Sequence, residues 1–137
     1  MKNGFATLDI AIVDLYSGTV EMIKSGACPT YFKANKKVQT IKSKSLPAGM
    51  IKEIKLDFFE KDIENKEIML MCTDGILDSN VEYKNKELWV KYLLEDIETD
   101  NTKKVADLLM NEAIDNSFGT PKDDMSVFVC KFRKKEN

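Results

Sequence analysis

The sequence predicts an α+β fold with mainly antiparallel sheet, and three observations carry the prediction. About six segments of strand character crowd the chain before any helical period begins. From Lys86 onward the apolar residues switch to helical spacing and hold it through two segments. One more short apolar run, Val127–Cys130, then closes the pattern. Strands and helices segregated in this way argue for α+β rather than for alternating units and a parallel sheet. The 137 residues suit one domain, without internal repeat, low-complexity stretch or linker.

Phe5 to Leu15 is the first strand-like run. Leu8, Ile10 and Ile12 fall on one face, and Ala11, Val13 and Leu15 on the other, which predicts an inner strand. Asp9 interrupts the second face and reads as a strand-end or edge group, or as a group pointing into a polar site. Tyr16-Ser17-Gly18 is a turn, and Val20 to Lys24 returns as the second arm of a hairpin. Gly26-Ala27-Cys28-Pro29 punctuates the chain. Tyr31–Lys33 and Val38–Ile41 follow as a short hairpin around Asn35-Lys36. After Leu46-Pro47-Ala48-Gly49, the alternation of Ile54 to Phe58 predicts a half-buried strand. Glu60 to Glu67 reads as a charged loop. Ile68–Cys72 is an unbroken apolar run ending at Asp74-Gly75, the pattern of a fully buried strand that stops at a sharp turn.

Leu88, Trp89, Tyr92, Leu93 and Ile97 recur at helical spacing, so Lys86 to Ile97 should be an amphipathic helix. Thr99-Asp100-Asn101-Thr102 offers N-caps for a second helix, whose apolar stripe runs from Val105 to Ile114. Phe118-Gly119-Thr120-Pro121 stops it with a glycine and then a proline. Lys122–Ser126 leads into the last strand, and Lys131 to Asn137 reads as a solvated tail.

Composition excludes more than it offers. The formal charge of −2 shows no dominant sign, and Arg133 is the only arginine, which disfavours nucleic acid. No apolar run reaches membrane-spanning length and the start carries no signal-peptide pattern, so the expected setting is cytoplasmic. Cys28, Cys72 and Cys130 fit no CxxC spacing and read as small buried hydrophobes in a reducing compartment. The absence of histidine removes Ser-His-Asp and Cys-His catalysis and the HExxH zinc helix. A cysteine phosphatase needs an arginine soon after its nucleophile. Asp78 and Ala34 stand there instead, after Cys72 and Cys28. No P-loop is present. Carboxylates, hydroxyls and lysines remain, and carboxylate-held metal is the leading chemistry they allow.

Two carboxylate turns bracket the helical region: Asp74 at the end of one buried strand and Asp123 before another. If the last strand returns beside Ile68–Cys72, both carboxylates meet at one end of a sheet. Carboxylates converging with water suit Mg²⁺ or Mn²⁺. Asp-Gly is also a common turn dipeptide, and on these residues alone Asp74 reads more readily as a cap on the next segment.

Thr73-Asp74-Gly75-Ile76-Leu77-Asp78 and Lys122-Asp123-Asp124-Met125-Ser126-Val127 resemble the two C-terminal motifs of the metal-dependent type 2C serine/threonine protein phosphatases. Gly26–Pro29 and Leu46–Gly49 are similar to the Gly-x-x-Pro and Leu-Pro-x-Gly segments of the bacterial branch, and the sporulation phosphatases of that branch are the nearest in pattern. The resemblance implies an α-β-β-α sandwich in which a pair of Mg²⁺ or Mn²⁺ ions activates water to attack the phosphorus of a phosphoserine or phosphothreonine. It implies metal ligands at Asp74 and Asp123, an acidic position at Asp78 that helps hold a further, weaker metal, and supporting positions at Gly75 and Asp124. It places no catalytic residue outside the ligands. The implied substrate is a phosphorylated anti-sigma-factor antagonist, and the implied whole protein is membrane-anchored with this part in the cytoplasm. The family's first metal motif, an Asp-Gly pair, lies upstream of everything here. Residues 1–137 are therefore expected to be the C-terminal portion of one phosphatase domain that lacks its N-terminal part. Alone, that portion is expected to be inactive, to bind metal weakly or not at all, and to form a homodimer through exposed strand edges. The alternative is a non-catalytic interaction module on the same scaffold.

Overall fold

A computed structural model describes residues 4–135. It contains seven strands and three helices in the order β1 (Leu8–Asp14), β2 (Thr19–Ser25), β3 (Thr30–Ala34), β4 (Lys37–Ile41), β5 (Asp57–Asp62), β6 (Ile68–Cys72), α1 (Asp74–Leu77), α2 (Glu87–Asp96), α3 (Thr102–Asn116) and β7 (Val127–Lys131). The strands form two sheets, β1-β2-β5 and β4-β3-β6-β7, and every pairing is antiparallel. The predicted class, with six strands, helices and one returning strand, is the observed one.

Strand alternation builds the layers. Tyr31, Ile68 and Leu70 point from the four-stranded sheet to the helices and pack with Trp89, Val90, Leu94, Val105 and Leu109. Phe32 and Met69, the alternate residues, point the other way and pack with Val20 and Met22 of β2. The sheets therefore face each other, and the helices cover the second sheet. This explains the unbroken apolar run of β6: it is an inner strand with both faces buried. Among the described residues no helix covers the outer face of β1-β2-β5, so three of the four expected layers are present.

Several local expectations shift. β1 is an edge strand, not an inner one. Ala11 and Val13 pack on the core between the sheets, whereas Leu8, Ile10 and Ile12 face outward with Phe58 and stay exposed. The strand predicted at Ile54–Phe58 begins at Asp57 and takes in Glu60–Asp62, which had read as loop. The Asp57 carboxylate explains the offset. It accepts hydrogen bonds from Ser43 Oγ (2.9 Å), Lys44 N (2.7 Å), Ser45 N (2.9 Å) and Ser45 Oγ (2.8 Å), which ties the strand start to the preceding loop. Lys131 and Phe132 are not solvated tail. Lys131 closes β7 and pairs with Asp100, and Phe132 packs between the sheets. Glu136 and Asn137 of the predicted tail, and Met1–Asn3, lie outside the described residues. The capping expectation holds at Asn101, whose side chain accepts from Lys104 N at 3.0 Å. Among the described residues no helix is long and apolar enough to cross a membrane.

Candidate metal-binding turn

The site begins where β6 and β7 leave the sheet together. Their last register pair is Cys72 with Val127. The ladder continues one step beyond: Thr73 N donates to Ser126 O (3.1 Å), and Ser126 N donates to Thr73 Oγ1 (2.9 Å). Thr73 thereby ties the two motifs to each other directly. It is the residue that sequence reasoning quoted but gave no role.

Gly75 makes the second contact. The sequence reading has it supply a positive φ at a sharp turn, but it sits inside the single turn α1 and is not left-handed. Glycine is required there for space. A Cβ would lie 2.1 Å from the Asp124 carbonyl oxygen. Asp124 thus meets the turn through its backbone, with no side-chain role visible.

The three predicted ligands are all solvent-exposed. Asp74 opens α1, and Asp78 caps it, its N–H donating to Asp74 O at 2.8 Å. One helical turn separates them, so both stand on one side of that turn. Asp78 also accepts from Lys86 Nζ at 2.7 Å. Asp123 Oδ1 accepts from Asp124 N at 2.8 Å. Gly75, Asp78 and Asp123 line one cleft of about 320 Å³. Asp74 is not on that lining. Among the described residues no three His, Cys, Asp or Glu gather closely enough to hold a metal ion. The donors fit Mg²⁺ or Mn²⁺ in kind, being hard oxygens, but in number they fill only part of a shell. A larger cleft of about 500 Å³ runs along β7 to Asp100 and Arg133, away from these carboxylates.

A buried charge pair lies close by. Lys24 is fully buried, and its Nζ donates to Asp9 Oδ1 (2.8 Å) and to the Cys28 carbonyl (2.9 Å). This fixes the Gly26–Pro29 turn against β1. Burial pushes the Cys28 thiol up to about 11, with the charges of Asp74 and Asp9 adding to it. Burial likewise pushes Cys72 up to about 12. The raised values disfavour the thiolate at neutral pH, but Cys28, Cys72 and Cys130 are half-buried, not the fully buried hydrophobes expected. The Asp9–Lys24 pair was legible in principle. The Tyr16–Gly18 turn sets the hairpin register, and that register puts the two residues directly opposite each other.

The pairing of two carboxylate turns at one sheet end can be set beside known proteins. The family model for stage II sporulation protein E matches residues 1–133. The chain belongs to the stage II sporulation protein E family. Family members named stage II sporulation protein E include one from Priestia megaterium, 33% identical over 94% of this chain, and one from Bacillus subtilis, 30% identical over 93%. The chain spans 22% and 15% of those relatives' lengths. The Mn-presoaked phosphatase domain of the cell fate determinant SpoIIE from Bacillus subtilis superposes with a TM-score of 0.84 at 27% identity. That match covers 96% of this chain and 58% of the other. The architecture is therefore the corresponding part of that phosphatase fold.

Proposed function

We propose that residues 1–137 form the C-terminal portion of one metal-dependent protein serine/threonine phosphatase domain. In this reading Asp74 and Asp123 hold Mg²⁺ or Mn²⁺, and Asp78 holds a further, weaker ion. The observation that carries it is the Thr73–Ser126 pairing, which locks the two carboxylate turns side by side. When bound, the ions supply an activated water for attack on phosphorus. This chain's own part is positional. Thr73 sets the distance between the turns, Gly75 lets them touch, and the Lys24–Asp9 pair holds the adjoining Gly26–Pro29 turn.

In this reading the substrate is the phosphorylated anti-sigma-factor antagonist that the sequence resemblance implies, met in the cytoplasm by a membrane-anchored whole protein. The outward apolar face of β1-β2-β5 and the free edge of β1 support a homodimer of the isolated chain. The second reading is a non-catalytic interaction module on this scaffold. The sparse gathering of donor groups favours it. Substituting Asp74→Asn in the complete domain separates the two. A phosphatase loses several orders of magnitude in turnover of a phosphoserine substrate. A module shows no metal-dependent turnover with either residue.

A further inference from the structure

The core between the two sheets changes character toward one end. Along β1 the residues facing the other sheet run Val13, Ala11, and then Asp9. Along β2 they run Val20, Met22, and then Lys24. Asp9 and Lys24 are register partners, so both strands turn polar at the same level. On β6 the inward residues Met69 and Met71 give way in the same direction to Thr73, which ties the two carboxylate turns together. A charge pair therefore closes the apolar core at the end that carries Asp74 and Asp123.

Stability alone does not account for it. Lys24 is fully buried. Taking an ammonium out of water costs about what its pairing returns, and an apolar pair of similar size commonly serves a fold as well or better. The second bond of Lys24 is the informative one. Its Nζ leaves the first sheet and donates to the Cys28 carbonyl at 2.9 Å. Cys28 belongs to the Gly26–Pro29 turn, through which the chain passes from the first sheet into the second. Pro47 presses on that turn from another side: a Cβ on Gly26 would lie 2.4 Å from the Pro47 nitrogen. The turn leads into β3, where Tyr31 pairs with Leu70, two residues before Cys72. It thus arrives alongside the end of β6. Of the charges that raise the Cys28 thiol, Asp74 acts most strongly, ahead of Asp9.

We propose that Lys24 is a positioning residue for the Asp74 turn, with Asp9 as its counter-charge. The ammonium braces the Cys28 carbonyl from the opposite sheet, and the braced turn limits where Thr73–Asp78 can stand. The pair orders that turn and adds little to the stability of the sandwich. The use of this order, to hold a metal ion, rests on the phosphatase reading; the coupling itself is a property of this chain.

Amide hydrogen exchange on the full chain tests it. Asp9→Asn/Lys24→Met removes both charges and keeps the lysine's stem. Thr73, Ile76 and Asp78 each donate a backbone hydrogen bond that reports on the turn. In the double variant these amides should exchange about fivefold faster, the scale of one lost hydrogen bond, while Ile68–Leu70 exchange as in the parent. The melting temperature should be at or above the parent's. Asp9→Asn alone keeps an oxygen acceptor for Nζ and should leave the three amides at parental rates. The Mn²⁺ concentration that half-broadens the Asp74 and Asp123 resonances should rise about fivefold in the double variant, in step with the lost order. Parental exchange at all three amides overturns the proposal. So does faster exchange throughout the sheets with a lower melting temperature, which would assign the pair to stability. Unchanged exchange with joint Mn²⁺ broadening at the two turns removes the coupling and leaves the phosphatase reading intact. Faster exchange confined to the turn, with no Mn²⁺ broadening there in either protein, supports the coupling and overturns that reading.

Discussion

Gly75→Ala isolates the contact between the two carboxylate turns. The added Cβ would sit 2.1 Å from the Asp124 carbonyl oxygen and 3.0 Å from its carbon, against the 3.4 Å at which ordinary contact begins. Two effects compete. Alanine in place of glycine inside a helical turn is favourable by about 1 kcal/mol from propensity alone. Overpacking against backbone costs about 1–3 kcal/mol, because a carbonyl cannot swing aside as a side chain can. The turns must also part by about 1.3 Å, which stretches the Thr73–Ser126 hydrogen bonds, each worth about 1 kcal/mol. Steric cost therefore wins, with a net loss of about 2–3 kcal/mol. That is a large share of the roughly 5–15 kcal/mol that stabilises a domain. Urea unfolding of the variant should show a lower midpoint at unchanged slope. Gly4→Ala is the control, since nothing lies within 4 Å of its added Cβ. A Gly75→Ala protein as stable as the parent, or more stable, would mean that propensity wins and that the two turns do not touch.

Two further outcomes concern other parts of the fold. Hydrogen bonds from Ser45, Ser43 and Lys44 hold the Asp57 carboxyl down at about 2, below the ordinary 3.8. A depressed folded-state pKa stabilises above pH 3.8 and loses that contribution as pH falls through about 2. The melting temperatures of the parent and of Asp57→Asn should therefore differ most above pH 4 and draw together on acidification; a gap that widens toward low pH would contradict this. Static light scattering on the isolated chain should give a dimer through the β1 edge and the face of Leu8, Ile10, Ile12 and Phe58, and a monomer at high concentration would rule that association out.

The sequence made the architecture readable where a single period governs a segment. β6 reads as buried because both of its faces are buried, and α2 and α3 read as helices because one stripe of each meets the sheet. β1 misleads for the same reason. Apolar residues on both faces imply two covering layers, and among the described residues only one is there. β5 was displaced because the Asp57 carboxylate, not the alternation, sets the strand start. In the site, the convergence of the two turns was readable once β7 was placed beside β6. The role of Gly75 was not, because a glycine needed for space and a glycine needed for positive φ look alike in sequence. The backbone of Phe118 was hidden similarly. Gly119 is the expected helix stop and is left-handed at φ 76°, but nothing local says that Phe118 before it is left-handed too, at φ 54°.

The central claim is that the Asp74 turn and the Asp123 loop form one metal site, and Mn²⁺ tests it directly because it is paramagnetic. Titrating Mn²⁺ into the isotopically labelled chain should broaden first the backbone resonances of Thr73–Asp78 and Asp123–Ser126, together and at the same metal concentration. With so few carboxylates in the shell, the apparent dissociation constant should be about millimolar or weaker. Broadening spread over the acidic surface, or reaching one turn without the other, would contradict the claim.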